Sequence, residues 1–390
     1  MLMSPCFYRA ADPWIIIMRI YFVSNMTDAP WGGSEELWNQ AARRLAGQGH
    51  DVTASVVYWP ELADKNLSLS EAGVKLQVRR PAPRPTLPQR ILRKLAGSKL
   101  PKKNVMDDLD AAKPDLVVIS HGGYLDGLAW MTHCLKRGIP YDAIVQCNHE
   151  GNWLTDEANE EAIAAYKGAR RIYCVSYHNL ALLKCQLAEA LPQAMVVWNP
   201  CNVPREEPPA WPSEETWRLG CVARLDPLAK GQDVLLRVLG HPKWTERKIE
   251  VNFYGKGPWE ANLRRLADHL EIPNVHFRGH VQGIRTVWET NHILILPSRV
   301  EGLPLSLVEA MLCARPAVVT DVGGNAEICL DGMTGYVAPA PTKELLGLAM
   351  ERAWAARARW QGMGLAARQR ALSLIPGDPV GDLCETIVSG

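Results

Sequence analysis

Short apolar runs, each closed by polar or turn residues, recur along the chain at the spacing of a parallel α/β fold. Ile20 to Ser24, His50 to Val57, Asp115 to Ser120, Ala143 to Gln146 and Arg171 to Ser176 are such runs in the first half. Trp217 to Ala223, Glu250 to Gly255, Val275 to Phe277, Ile293 to Leu296 and Ala317 to Thr320 follow in the second. A continuous apolar run of this length marks a strand buried on both faces. Between the runs the apolar positions move to helical spacing. Leu37, Trp38, Ala41, Ala42 and Leu45 predict a helix that Gly47 and Gly49 end. Leu305, Leu307, Val308, Met311 and Leu312 predict another, closed by Pro316, and Trp259 to Leu270 a third. After Thr342 a helical pattern continues to about Leu374. Strands alternating with helices predict parallel sheets covered by helices.

At 390 residues the chain is too long for most single cores. The proline and charge of REEPPAWPSEE, residues 205–215, mark a linker. The expected division is a first domain over 18–205, a second over 206–370 and a terminal segment over 371–390. Residues 1–17 carry Arg9 and Asp12 and only a short apolar run, which suits no signal peptide. The first strand reads from Met18, so 1–17 is expected to be a disordered extension.

Lys and Arg number 43 against 42 Asp and Glu, which leaves no nucleic-acid footprint. None of the ten cysteines forms a Cys-x-x-Cys pair, so they read as thiols in a reducing compartment. No apolar run approaches the ~20 residues of a membrane span. One stretch departs from the even balance: Arg79 to Lys103 holds nine basic residues and no acidic one. Such a run is a solvated loop, or a contact for anionic lipid headgroups or a phosphate-bearing acceptor, where each cation gains roughly 1 kcal/mol.

The chemistry concentrates between His292 and Thr342. A strand, the loop RVEGLP and a helix start place backbone N–H groups at the carboxyl edge of a sheet, where open α/β sheets bind phosphorylated ligands. Glu301 lies on the loop and Glu309 inside the helix. Carboxylates accept hydrogen bonds from hydroxyls, so the ligand implied is a phosphate carrying sugars on both sides. In the first domain Gly32 and Gly33 stand at a loop-to-helix junction of similar geometry, and Glu35 and Glu36 read as solvated first-turn acids. Trp31, Trp38 and Trp59 are candidates to stack on a sugar ring, with core packing an equal account of Trp38.

Glu301 and Glu309, followed by Gly323-Gly324-Asn325-Ala326-Glu327 and DGMTG, resemble the signature of family 4 of the retaining glycosyltransferases. The resemblance implies the GT-B fold: two Rossmann-like αβα domains with parallel sheets facing across a cleft. It implies transfer of a sugar from a nucleoside-diphosphate sugar to an acceptor hydroxyl with retention at the anomeric carbon, in synthesis of a bacterial surface glycan or polysaccharide. By the same resemblance Gly32, Gly33, Arg224 and Lys230 meet the donor diphosphate. Gly255, His280 and Val281 belong to the donor side, the last two beside the base. Glu301, Gly302, Leu303, Pro304 and Leu305 lie at the donor sugar and helix start, and Glu309 at the ribose. His149, Arg224, Lys230 and Glu301 are the implied catalytic set. Two fixed cations at a helix start suit the charge that builds on a leaving diphosphate.

That role for Arg224 and Lys230 implies neither metal nor cofactor. Asp108-Leu109-Asp110 has the letters of a metal-binding Asp-x-Asp but lies in a helical stretch before a strand. His121 has a weaker claim than His149 to face the reacting sugar. The segment around Asn199, Cys201 and Asn202 resembles the family's Asn-Gly segment with Cys201 in place of the glycine. Arg315 stands where the family has glycine and is expected to alter a helix end or the surface. The implied partners are a nucleotide-sugar and a glycan or lipid-linked acceptor, at the cytoplasmic face of a membrane touched through residues 79–103. Two readings compete: a nucleotide-sugar epimerase of the same fold, and a non-catalytic scaffold or sensor.

Overall fold

The computed structural model describes residues 16–26, 31–59, 68–80, 105–213 and 215–389. The extension over residues 1–15 and the basic stretch over 81–103 lie outside the described residues.

The first domain starts with strand β1 (Arg19–Ser24), helix α1 (Gly33–Gly47), β2 (Asp51–Val57) and β3 (Lys75–Arg79). Helix α2 (Val105–Ala112), β4 (Leu116–His121), α3 (Leu128–Arg137) and β5 (Tyr141–Val145) follow. Then come α4 (Asp156–Gly168), β6 (Arg171–Cys174), α5 (Tyr177–Leu187) and β7 (Ala194–Val196). Their sheet has the order β3-β2-β1-β4-β5-β6-β7, with every pairing parallel.

The second domain runs through β8 (Trp217–Val222), α6 (Gln232–Leu239), β9 (Ile249–Tyr254), α7 (Glu260–His269) and β10 (Val275–Gly279). It continues with α8 (Ile284–Thr290), β11 (Ile293–Leu296), α9 (Leu305–Leu312), β12 (Ala317–Thr320), β13 (Gly335–Ala338) and α10 (Lys343–Ala355). Its six strands lie in the order β10-β9-β8-β11-β12-β13, again all parallel. Helix α11 (Trp360–Leu374) and helix α12 (Pro379–Val388) end the chain. The topology matches the expectation of two parallel-sheet domains.

In each sheet the strand order reverses once, between β1 and β4 and between β8 and β11. The crevice beyond the carboxyl ends of strands at such a reversal is where open α/β sheets bind ligands. Strands β4, β5, β11 and β12 are buried along their whole length, as continuous apolar runs require.

The chain crosses between domains twice. After α11 it passes back, and α12 packs on α1, placing Val380, Leu383, Cys384 and Ile387 in one core with Leu37, Trp38, Ala41 and Leu45. The carbonyls of Ile387 and Thr386 at the end of α12 accept hydrogen bonds from Arg170 and Arg171 of β6 and the turn before it. At the hinge, Arg205 donates to the carbonyls of Leu372, Ile375 and Pro376, and Arg368 of α11 to those of Leu312 and Arg205.

Of the two expectations for Arg315, a change at the surface is overturned, while a place at helix ends is what the structure has. Its side chain is 1% exposed, and its guanidinium donates to carbonyls of Trp288, Asn291, Cys313 and Ala210. It also lies over the Trp211 ring, 5.0 Å from its centre. A guanidinium has five N–H donors in a fixed fork, and here they serve two helix ends and the linker together. Burial lowers its pKa to about 10, so it stays charged at neutral pH.

Leu383 is 1% exposed. Leu383→Ala is expected to destabilise the first domain by roughly 2–5 kcal/mol, the range for emptying a well-packed leucine site. The measurement is the urea midpoint. A loss below about 1 kcal/mol would show that α12 does not complete that core.

Candidate active site

The loops at the reversal point of the second sheet carry the predicted charged residues. After β8 the chain turns through Arg224 and Asp226 into a single helical turn, Pro227–Lys230. Asp226 caps that turn, accepting from the Ala229 N–H, and its other oxygen lies 2.7 Å from the Arg224 guanidinium. After β11, Ser298, Arg299 and Glu301 form the facing loop. Lys230 Nζ lies 2.7 Å from Glu301 Oε2, and the Ser298 hydroxyl donates to Glu301 Oε1 at 2.7 Å. The Glu301 side chain is 5% exposed and that of Lys230 22%. The sheet edge thus holds a nearly buried carboxylate fixed between a hydroxyl and an ammonium.

Two contacts fix the loops to each other. Gly231 has φ +64, and a Cβ there would stand 1.9 Å from the Pro297 carbonyl oxygen, so only glycine fits. Arg299 reaches back to Asp233 at 2.6 and 2.9 Å, while its backbone N–H bonds the Ala229 carbonyl. Nothing in the sequence distinguishes Arg299 from a solvated loop arginine. A fork-to-fork pair of this kind fixes geometry as well as charge.

Gly255 and Gly257 serve the same loops from behind. Cβ atoms there would meet the carbonyls of Ala223 and Leu225 at 2.0 Å each. Their place is under the backbone that carries Arg224. His280 is exposed and Val281 half-buried, both just beyond the carboxyl end of β10.

The first domain closes over this edge. A Cβ on Gly33 would lie 2.8 Å from Leu305 Cδ1, so the starts of α1 and α9 meet across the cleft. Neither helix has a side-chain cap: Gly32 precedes α1, and Pro304 precedes α9. Two uncapped helix starts leave N–H groups and two positive dipole ends in one place. A Cβ on Gly302 would stand 1.9 Å from the Gln146 carbonyl oxygen, and Leu303 is buried beneath it. The thiol of Cys147, pushed up to about 12 by burial, is also acted on by the charges of Glu301 and Lys230. The turn after β5 therefore adjoins the ion pair. His149 lies in this turn, half-buried. Its Nδ1 accepts from the Gly151 N–H at 3.1 Å, which assigns the proton of the neutral ring to Nε2.

Glu309 is 5% exposed on α9, and its Oε1 accepts from the backbone N–H and the side-chain amide of Asn202, both at 3.2 Å. Burial raises its pKa above the usual carboxylate range. Asn202 lies in the hinge segment beside Cys201. Beside it a groove of about 830 Å³ runs along α1 between the two crossings, lined by Asn39, Arg43, Cys201, Arg205 and Gly377.

Several expectations are corrected. Glu35 is not solvated: it is 6% exposed and accepts from the Ser24 hydroxyl at 2.6 Å. Glu36 accepts from the Trp31 indole at 2.8 Å. Trp38 is 1% exposed in the α1 core and is closed to a sugar. His121 is buried; its Nδ1 accepts from Gly127, and burial lowers its pKa to about 3, so it is a neutral core residue. Arg79 ends β3, with its guanidinium bonded to the Ser24 carbonyl and 5.1 Å from the centre of the Trp130 ring. Asp110 pairs with His133 and Arg137 on the surface of α2. Among the described residues no three His, Cys, Asp or Glu side chains gather as a metal site would require.

Residues 216–355, which hold Arg224, Lys230, Glu301 and Glu309, match the sequence family described as Glycosyl transferases group 1. Over 162 residues the chain is 31% identical to a GDP-mannose-dependent alpha-(1-6)-phosphatidylinositol monomannoside mannosyltransferase of Mycolicibacterium smegmatis, covering 39% of this chain and 42% of that protein. Over 146 residues it is 30% identical to the D-rhamnosyltransferase WbpZ of Pseudomonas aeruginosa, covering 36% and 37%. The chain thus spans about two fifths of the length of these curated relatives. The crystal structure of Anabaena HepE in complex with UDP superposes with a TM-score of 0.72 at 15% identity, over 96% of this chain and 100% of that one. That of the lipopolysaccharide outer core galactosyltransferase WaaB does so at 0.66 and 17% identity, over 95% and 99%. The likeness runs through both domains, and the fold is GT-B.

Burial raises the Glu35 carboxyl to about 7, against the opposing pull of Ser24 and Arg79. Between about 4.5 and 7 the folded protein keeps a proton there that the unfolded chain lacks. Stability therefore falls as pH rises through that window, by roughly 3 kcal/mol at about 1.4 kcal/mol per unit. Glu35→Gln is neutral throughout and should remove this part of the slope. Urea midpoints of both proteins at pH 5 and pH 7.5 test it; equal slopes would contradict the assignment.

Proposed function

We propose that this protein transfers a glycosyl unit from a nucleoside-diphosphate sugar to an acceptor hydroxyl, with retention of anomeric configuration. The observation that carries the reading is the Lys230–Glu301 pair at 2.7 Å, at the reversal point of the second sheet, beneath the meeting starts of α1 and α9. Phosphate binding calls for cations and backbone N–H groups, and sugar hydroxyls call for a fixed carboxylate. This edge supplies both within one hydrogen bond of each other.

In this reading the bond from the anomeric carbon to the donor diphosphate breaks, and negative charge grows on the departing oxygen. Lys230 and Arg224, with the N–H groups at Gly33 and at the start of α9, stabilise that charge in a poorly solvated cleft. The acceptor oxygen bonds to the anomeric carbon on the face the diphosphate leaves, and its proton passes to the leaving phosphate. No protein nucleophile and no metal are needed. Glu301 holds the donor sugar hydroxyls, Glu309 the ribose and His149 the sugar or acceptor through Nε2–H. Relatives named as mannosyl- and rhamnosyltransferases, and a structural neighbour bound to UDP, support a nucleotide-sugar donor and a glycan acceptor. Among the described residues no helix is long and apolar enough to cross a membrane. A lipid-linked acceptor would be met from the membrane surface.

The test is thermal unfolding with UDP-glucose, GDP-mannose and ADP-glucose, on wild type, Arg224→Ala and Glu309→Ala. A donor at about 100 times its Kd should stabilise wild type by ~2.7 kcal/mol, and both variants should lose that shift. Lys230→Ala should lower kcat for that donor by about 10²- to 10³-fold, as removal of a charge-stabilising donor does. Binding of one donor with neither transfer nor hydrolysis would replace this reading with that of a nucleotide-sugar sensor.

A further inference from the structure

Glu327 closes the Gly-Gly-Asn-Ala-Glu turn of the second domain, yet its carboxylate serves the first. Oε2 accepts from the Tyr177 N–H at 3.1 Å and Oε1 from the His178 N–H at 2.5 Å. Those are the first two N–H groups of α5; the third, of Asn179, is taken by the Ser176 hydroxyl at 3.1 Å. A helix start with three orphan donors and a positive dipole end thus receives a carboxylate from the other domain. The contact is close: a Cβ on Gly324 would lie 2.8 Å from the Ser176 Cβ. It is also fixed from behind. Arg370 of α11 holds the carbonyls of Glu327 and Ile328, and the Gly324 N–H donates to the Gly302 carbonyl at 2.7 Å. The turn bearing Glu327 is therefore joined to the loop bearing Glu301.

Helix α5 in turn holds the His149 turn at two points. Near its far end, Gln186 Oε1 accepts from the Asn148 side-chain amide at 2.7 Å and Gln186 Nε2 donates to the His149 carbonyl at 3.0 Å. Near its start, His178 Nε2 lies 2.9 Å from Glu150 Oε1. Asn148 Oδ1 accepts from the His149 N–H, and His149 Nδ1 from Gly151.

We propose that Glu327 is a positioning residue: an interdomain helix cap that, through α5, sets the His149 turn when the domains close. Closing the cleft over a donor then assembles the acceptor side in the same motion, because one carboxylate ties the turn joined to the Glu301 loop to the helix that holds the His149 turn. The inference rests on the glycosyltransfer reading for its kinetic consequence, but its structural core does not.

The experiment compares full-length wild type, Glu327→Ala, Glu327→Gln and Ser176→Ala. Hydrogen exchange is followed without ligand in the segment 147–153. Loss of the interdomain cap should speed exchange at His149 and Gly151 by about tenfold in Glu327→Ala, with partial recovery in Glu327→Gln, whose single carbonyl still accepts one of the two bonds. Ser176→Ala removes the cap internal to the first domain and should have a smaller effect there. With whichever of UDP-glucose, GDP-mannose or ADP-glucose stabilises the wild type, Glu327→Ala should lower kcat for hydrolysis or transfer by about tenfold while donor KM stays within about threefold. Unchanged exchange in Glu327→Ala, or an equal effect from Ser176→Ala, overturns the proposal. Turnover of none of the three sugars by wild type would instead overturn the glycosyltransfer reading, and the exchange comparison would still decide the role of Glu327.

Discussion

A carboxylate placed in the floor of a cleft requires a partner, because burial of an unpaired charge is among the most unfavourable arrangements a fold can hold. Glu301 has two, Lys230 and the Ser298 hydroxyl, each at 2.7 Å. Much of the second domain's loop architecture follows from keeping that arrangement in place. Gly231 lets the Lys230 loop approach the Pro297 carbonyl, and Gly323, at φ +52, lets a further turn pack on the Glu301 carbonyl itself. The Arg299–Asp233 fork then joins the two loops. The glycines serve close approach of backbones, and the charges they gather would disperse with any side chain in their place.

The interdomain geometry rests on a second device, arginines that feed carbonyls at helix ends. Arg205, Arg315 and Arg368 each donate to two or more main-chain oxygens near the hinge or linker, and Arg370 to two at the Glu327 turn. The last carbonyls of a helix have no internal partner and carry the negative end of its dipole. A guanidinium satisfies several at once without introducing a carboxylate. Arg315 is the extreme case. It is wholly buried and its hydrogen-bond partners are all carbonyls, so loss of its side chain would leave several oxygens in the interior without donors, at about 1–3 kcal/mol for each such group. Glycine at this place would require those helix ends and the linker to be satisfied otherwise.

What could be read from the chain, and what could not, divides along physical lines. Strands buried on both faces write themselves as unbroken apolar runs, and β4, β11 and β12 stand within a residue of the pattern. Helix α1 appears through the spacing of Leu37, Trp38, Ala41, Ala42 and Leu45, all of them buried. The Lys230 and Glu301 loops are legible because each follows such a run at a turn signal. Edge strand β3 is not legible, since none of its residues is fully buried and its sequence, KLQVR, has no apolar run. Glu35 misleads because a first-turn acid looks the same whether it faces water or the Ser24 hydroxyl. Arg299 and Glu327 act on partners 66 and about 150 positions away, and a single sequence carries no trace of such pairing.

Glu309 shows how closure and ligand entry compete in the proposed reading. Its carboxylate is almost fully buried, and the hinge residue Asn202 now gives it two donors, a main-chain N–H and a side-chain amide. A ligand that displaces Asn202 has to return two donors to the carboxylate, whose Oε1 now accepts both, or the group is left buried and short of hydrogen bonds. The vicinal hydroxyls of a ribose meet that condition, whereas a deoxyribose, with one hydroxyl fewer, does not. In that reading the desolvation of Glu309 acts as a selection rule. It favours a ribonucleotide whatever base is attached, because the requirement sits at the sugar. It also ties that choice to the connection between the domains, since the group that has to give way belongs to the segment that joins them.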